Sequence, residues 1–358
     1  MKSKRARLGM AGWLLVALAA LLLAALLAAI VFWRMGVAGK ESLYSQADSG
    51  QIILSMSERS ETGGGMEEEE TDWQEGDLRY KGIHYRYNKD MLIFLFLGID
   101  KMEEVSPAKN GIDGGQSDAI FLLAMNPHNK ELCVIGVPRD TMAQLDIYNK
   151  EGEYEGSGEG QITLQHGYGD GAEISCERSR KAVSRLFYNL PIHGYCSIHM
   201  GAIPLLNDAI GGIWVEALES IEYRDFHVKE GESVHLEGMA AYHYLHYRDV
   251  TSFNSAGKRL ERQKQYLTAY AAAARQAMKA DFTLPVELYQ TLSRYMVTDI
   301  SIDEASYLAM QMAGYHFDGG NLYTLEGETV RGEKFEEFYL DETALYELIL
   351  KVFYEEVQ

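Results

Sequence analysis

MLIFLFLGID (Met91–Asp100), DAIFLLAMNP (Asp118–Pro127) and ELCVIGVPRD (Glu131–Asp140) follow one another closely in the chain, and each holds an apolar run of strand length. The runs are Met91–Leu97, Ala119–Met125 and Leu132–Val137. Rich in Ile, Leu, Val and Phe and without polar alternation, they suit strands buried on both faces of a sheet. Asn126-Pro127-His128-Asn129 is a turn sequence, so the second and third runs form a hairpin. The charges fall at the strand ends: Asp100 just past the first run, Asp118 before the second, Arg139-Asp140 after the third. Antiparallel pairing of the hairpin brings Asp118 and Arg139 to one end of the sheet. A first strand parallel to the third adds Asp100 there. One aspartate beside a strand is ordinarily a solvated loop charge. Four charged residues at consistent strand ends mark a candidate site.

Upstream, Met10–Trp33 contains no charged residue. As a helix it spans about 36 Å, enough for a hydrocarbon core of roughly 30 Å. Lys2, Lys4, Arg5 and Arg7 precede it, which predicts an uncleaved anchor with residues 1–9 in the cytoplasm and the rest of the chain outside. Residues 34–78 are rich in Ser, Gly and Glu, with Gly63–Gly65 and an acidic run Glu67–Glu70. They read as a flexible acidic linker. With the weakly patterned residues up to Asp90, its end-to-end distance is roughly 40 Å, which keeps the folded part near the membrane.

Of the 358 residues, 47% are hydrophobic, sufficient for a sizeable core. The net charge of −20 argues against nucleic acid as a partner, because phosphates are repelled overall. Three cysteines cannot all pair, and Cys133 lies inside a core strand, so Cys133, Cys176 and Cys196 read as buried thiols.

Downstream, Asp146–Gly160 reads as a Gly/Glu-rich loop and Ala172–Leu190 as a helix with Val183, Leu186, Phe187 and Leu190 on one face. Tyr195–His199 and Ile213–Ala217 are expected strands, and Ala202–Ile210 a short helix stopped by Gly211-Gly212. Helices are expected over Glu237–Tyr247, Lys258–Lys279, Pro285–Met296, Asp303–Tyr315 and Asp341–Glu355, with a strand at Asn321–Leu325. The pattern predicts an α/β fold, a mixed central sheet covered by helices.

In so acidic a chain, Arg248, Lys258, Arg259, Arg262 and Lys264 form a concentration of positive charge. On a helix starting near Lys258, Arg259 shares a face with Arg262 and Gln263, and Tyr266, Leu267 and Tyr270 continue it. Cations at a helix amino terminus oppose its dipole, while the free N–H groups there attract anions. A ligand with an anionic head and an apolar body fits this face.

Taken as an ordered set, FLGID, QSDAIFLLAMNP, QITLQHGYGDG, LLNDAIGGIWVEA, LEGMAAYHYLHYR and KRLERQKQ, with VIGVPRDT among them, resemble the successive motifs of the LytR-CpsA-Psr family. The resemblance runs from about Arg79 to the carboxyl end. It divides an extracellular domain 79–358 into a core 91–275 and an extension 276–358. It implies an α/β/α domain with a long apolar pocket for a polyprenyl (pyro)phosphate, and a transferase moving a lipid-linked anionic glycopolymer, such as teichoic acid or capsule, onto peptidoglycan. By the same resemblance Asp100 and Asp118 hold Mg²⁺, and Asp118, Arg139 and Arg248 are catalytic. Arg139, Arg248 and Arg259 bind the pyrophosphate with Arg262 and Gln263 supporting, and Asp140 braces the arginines. His246, counted with the pyrophosphate-binding residues, stands where the family carries the first arginine of an R-x-R, and Ala256-Gly257 stand where an acidic residue is usual.

Two other readings compete. One is a non-catalytic module that binds lipid phosphates or wall glycans. The other is a zinc hydrolase built on His235, His243 and His246, the last two being three apart on a helix. HEXXH, G-x-S-x-G and P-loop sequences are absent.

Overall fold

The computed structural model describes residues 33–45, 73–74, 76–108, 114–249, 251–281, 284–312, 314–315 and 319–357. Apart from Trp33, the expected membrane span lies outside these residues. No described helix is long and apolar enough to cross a membrane.

The chain divides into two units. In the smaller, residues 33–45 and Ile302–Met312 are helical. The segment read as the start of a linker is thus helical. The two helices approach closely because Gly36 and Gly39 carry no side chain: a Cβ on Gly39 would stand 2.1 Å from the Asp303 carbonyl oxygen. Ser42 Oγ donates to Glu304 Oε1 at 2.7 Å, beside the buried Leu43.

The larger unit is organised on a six-stranded sheet. Its strands in chain order are β1 (Leu92–Ile99), β2 (Ser117–Asn126), β3 (Glu131–Gly136), β4 (Gly194–His199), β5 (Met296–Thr298) and β6 (Leu322–Thr324). Their spatial order is β5-β4-β1-β2-β3-β6. β1 pairs antiparallel with β2 and β2 antiparallel with β3, as the hairpin reading requires, so β1 and β3 run parallel. The β1–β4 and β3–β6 pairs are parallel, which makes the sheet mixed.

The two faces of the sheet are covered unequally. Ile93, Leu95, Leu97, Ile120, Leu122 and Ile135 form one continuous core with helix α1 (Glu173–Leu186) and the carboxyl-terminal helix α4 (Glu342–Phe353). Val183, Phe187 and Leu190 are sealed in it and Leu186 packs partly buried against it, but the helix expected to reach Leu190 ends at Leu186, so Leu190 enters the core from the turn beyond it. On the other face Phe96, Leu123 and Val134, all mid-strand, are only partly covered. Between α1 and α4 in sequence lie helices α2 (Met239–His246) and α3 (Ser255–Ala280). α3 passes over this second face at Gly136, where an added Cβ would press on Leu260 at 3.3 Å. A second apolar cluster joins α2 and α3 to two small strand pairs, through Val215, Phe226, Leu236, Tyr244 and Tyr266.

Three expectations need correction. Asp146–Gly160 is largely a β-hairpin, Met142–Tyr148 against Tyr154–Gln161. Its glycines alternate, and Ile147 and Leu145 lie across Gly158 and Gly160 with side-chain atoms 3.1 Å from where a Cβ would be. Period-two glycine carries the strand pattern that apolar residues usually carry. The helix expected over Pro285–Met296 ends at Leu292, and Met296 begins edge strand β5. The weakly patterned residues before Asp90 form strands Leu78–Tyr80 and Ile83–Tyr87, closed by Tyr354–Glu356. Cys133, Cys176 and Cys196 are buried thiols, and burial pushes Cys176 and Cys196 up to about 12.

Asp146 ties the hairpin to α1. It accepts from Arg185 Nη1 at 3.0 Å and Nη2 at 2.7 Å and from Lys181 at 3.1 Å. The Arg185 hydrogen bonds, outweighing desolvation, hold its pKa near 2 instead of 3.8. A depressed carboxylate contributes stability above its unfolded pKa and loses it as pH falls through the folded one. Asp146→Asn is therefore expected to cost about 2–3 kcal/mol at pH 7 and progressively less between pH 4 and 2, read from denaturant unfolding at each pH.

Candidate functional site

The pairing of β1 with β2 shifts register between Gly98 and Ile99: Gly98 faces Ala119 and Ile99 faces Ser117. Asp118 is left without a cross-strand partner, and such a bulge re-aims a side chain. Its carboxylate is buried at 5% exposure. Oδ1 accepts a short hydrogen bond from Arg139 Nη1, and Oδ2 accepts from Arg259 Nη1 at 2.8 Å. Arg139 sits just past β3 and Arg259 in the first turns of α3, so one carboxylate joins the sheet to the helix above it. Arg139 spreads its remaining donors over Asp140 Oδ1 at 3.2 Å and Gln116 Oε1 at 2.8 Å.

Asp140 continues the network. Oδ1 also accepts from Gln161 Nε2 at 3.0 Å, and Oδ2 lies 3.8 Å from Arg248 Nη2. Arg248 Nη2 is also 3.5 Å from Glu336 Oε2, while its Nε donates to Ser255 Oγ at 2.8 Å. Glu336 had no place in the sequence reading. It opens a strand (Glu336–Leu340) of a late hairpin whose Phe338 N–H donates to the Asp140 carbonyl at 2.9 Å. Glu336 Oε1 accepts from the Asn254 N–H at 3.0 Å, at the entrance of α3. A carboxylate thus stands at the entrance of α3, near Ala256-Gly257, from about eighty residues downstream, a separation that no local motif reveals.

Asp100 follows β1, and its N–H donates to the Gln116 carbonyl at 3.1 Å, placing it against the start of β2. His246 Nε2 stands 3.4 Å from Asp100 Oδ1 and its ring stacks on Tyr242 at 4.9 Å. His246, chiefly by hydrogen bonding, and then Arg259 and Arg139 by charge, hold Asp100 below the usual carboxylate range against desolvation. Asp100 therefore lies within the field of the arginines that pair with Asp118. Burial pushes Asp140 up despite Arg139 and Arg248, and burial lowers Arg259 despite Asp118. Arg259 is 3% exposed, and its Nη2 makes no hydrogen bond.

The structure thus brings Asp100, Asp118, Arg139, Asp140, His246, Arg248 and Arg259 together. Arg262 is not part of this group. At 1% exposure its Nε donates to the Tyr244 carbonyl at 2.8 Å, and its two Nη atoms make short bonds to Glu219 and the Tyr247 carbonyl. It pins α2 to α3 and has no donor turned to the cluster. Gln263 is buried beside it in sequence, without a recorded hydrogen bond to the cluster. Farther along α3, Tyr266 and Tyr270 stack on each other within the second apolar cluster, and Leu267 is exposed. That face serves the core instead of an apolar ligand.

Asp100 and Asp118 are hard oxygen donors of the kind Mg²⁺ takes. Among the described residues no group of three or more His, Cys, Asp or Glu forms a metal site. Two carboxylates alone would leave most positions of such an ion to phosphate oxygens and water. For zinc the histidines diverge: His243 pairs with Asp225 at 3.2 Å, His246 with Asp100, and His235 stacks on Trp214. His166 and His199 are buried and bonded to the carbonyls of Gly115 and Glu103.

The sequence profile of the LytR_cpsA_psr family matches residues 55–348. The chain belongs to this family. A polyisoprenyl-teichoic acid–peptidoglycan teichoic acid transferase TagU of Oceanobacillus iheyensis is 27% identical over 262 residues, covering 71% of this chain and 73% of that protein. Among solved structures, TagV of B. subtilis superposes with a TM-score of 0.55 at 23% identity, covering 73% of this chain and 95% of that one. TagT, solved bound to LI-WTA, gives 0.53 at 18% identity over 73% and 89%. At these identities the superpositions establish a shared fold.

The two arginines at opposite ends of the motif block should behave differently. Arg262→Ala leaves two carbonyls and Glu219 without their donor in a buried seam and is expected to cost about 3 kcal/mol. Arg248→Ala, on the partly exposed rim, should cost under about 1 kcal/mol. Urea unfolding of the two variants checks the contrast.

Proposed function

We propose that the chain is a LytR-CpsA-Psr transferase that moves a polyprenyl-pyrophosphate-linked anionic glycopolymer of teichoic acid type onto peptidoglycan. The observation that carries this reading is Arg259: buried, beside Arg139 and Arg248, with one guanidinium nitrogen unbonded. A buried donor left unpaired is costly, and a phosphate oxygen is the acceptor that guanidinium geometry matches best. The partly covered sheet face with Phe96, Leu123 and Val134 is apolar and suits the prenyl chain. The relatives' names support teichoic acid as the donor and peptidoglycan as the acceptor.

An acceptor hydroxyl attacks the phosphorus nearest the glycan, its proton passing to solvent, and polyprenyl phosphate leaves as the P–O–P bond breaks. Such a transfer depends on positioning and charge neutralisation. Arg139, Arg248 and Arg259 would hold the diphosphate and take up the charge of the leaving group. Asp118 orients two of them, and Asp140 with Glu336 flanks the third. Both oxygens of Asp118 already accept from arginine, so it is poorly placed as general base. In the cluster, four carboxylates (Asp100, Asp118, Asp140, Glu336) stand against three guanidiniums. A diphosphate entering that balance favours a divalent cation, and Mg²⁺ held by Asp100 and Asp118 would supply charge stabilisation. Met10–Trp33 would anchor the chain in the cell membrane with the enzyme domain outside, close to lipid-linked donor and wall.

Mass spectrometry of the full chain purified from membranes should find a co-purifying polyprenyl phosphate. Arg139→Ala should lower transfer from a lipid-linked glycan to peptidoglycan, assayed with Mg²⁺, by about 10²–10³ while the circular dichroism stays native. A wild-type rate in that variant removes Arg139 from the reaction.

A further inference from the structure

Beside the arginine cluster lies an open cavity of about 680 Å³ that the donor does not account for. Asp140 and Glu336 belong to both, so the cavity meets the cluster at Arg248. Its walls come from the entrance of α3 and from the segment running from β6 into the late hairpin. Among its lining residues Thr324 Oγ1 is buried without a hydrogen-bond partner, and Asp140 Oδ2 and Glu336 Oε2 have only the loose ion pairs to Arg248 Nη2, with no hydrogen bond. Asp140 is itself 4% exposed. Unbonded buried polar atoms concentrated on one cavity point to a ligand that completes them.

The chemistry of the wall narrows that ligand. Glu261, Glu328, Glu336 and Asp140 line it with Lys258, and even with Arg248 beside Asp140 and Glu336 the carboxylates outnumber the cations, a balance that disfavours a phosphate-rich polymer. Phe253 and Phe338 offer aromatic surface, and Phe253 is half exposed. Carboxylates and hydroxyls that bind O–H and N–H groups, with an aromatic face for an apolar ring surface, suit an uncharged sugar. We propose that this cavity is the acceptor subsite, holding an uncharged sugar of the glycan strand with its hydroxyl toward Arg248. The assignment rests on the transfer reading above and deepens it. The donor and acceptor then approach the arginines from different sides, the donor along the sheet face and the acceptor past the late hairpin.

Binding of chitotetraose, an uncharged amino-sugar oligomer, to the full chain tests this by calorimetry, with polyprenyl phosphate binding measured in parallel. Phe253→Ala and Thr324→Val should each weaken chitotetraose at least tenfold and leave polyprenyl phosphate unchanged. Trp214→Ala, which removes an exposed aromatic outside the cavity lining, should change neither. The proposal is overturned if wild type does not bind chitotetraose, if binding survives both cavity variants, or if those variants weaken polyprenyl phosphate equally. Chitotetraose binding that obeys the pattern in a protein retaining no polyprenyl phosphate supports the sugar subsite while removing the donor reading.

Discussion

A carboxylate sealed between a sheet and a helix has to be paired, and the pairing of Asp118 with two guanidiniums constrains everything around it. Desolvating the charge costs several kcal/mol, which only close cationic partners offset. Arg139 arrives from the end of β3 and Arg259 from α3, more than a hundred residues later. Satisfying one aspartate therefore fixes where the helix crosses the sheet and which end of it carries the charge. The bulge is what allows this. Without Asp118 as the unpaired residue opposite the Gly98–Ile99 step, the alternation of β2 would be unbroken at this point.

The second half of the cluster is looser. Arg248 stands 3.5 Å and 3.8 Å from Glu336 and Asp140, beyond hydrogen-bond length, and only its Nε is fixed, by Ser255. Arg139 and Arg259 are each hydrogen-bonded to Asp118, while Arg248 meets its two carboxylates only at longer range. On the proposed reading, the hydrogen-bonded pair would set the phosphate position and Arg248 would complete it.

How much of this was legible depended on sequence separation. Three apolar runs and one Asn-Pro turn define β1 to β3, and the strand ends place Asp100, Asp118, Arg139 and Asp140 together through local chemistry alone. Arg259 was legible as a cation on a helix, but its burial follows from Gly136 letting Leu260 approach, which no periodicity expresses. Arg262 looked equivalent because it shares the helical face. One turn of rotation separates a guanidinium that meets a carboxylate at the sheet end from one that meets the carbonyls of α2. Glu336 was invisible because its hairpin contributes nothing to the motif block, and its role comes from the bridge between Thr141 and Phe338. The hairpin of Met142–Tyr148 and Tyr154–Gln161 was missed because its pattern is written in glycine.

The acidic character of the chain bears on the same question of placement. With a net charge of −20, the mean field repels an anionic polymer, and screening confines any attraction to within about 10 Å of the three arginines at moderate ionic strength. Selection of an anionic ligand must then happen at contact, through guanidinium geometry, instead of through long-range capture. A membrane-held donor suits that arrangement, because tethering supplies the local concentration that the field does not. On the proposed assignment, the same repulsion would keep a charged chain out of the Glu-lined cavity while leaving an uncharged sugar free to enter. One electrostatic arrangement would then sort two substrates that meet at a single phosphorus.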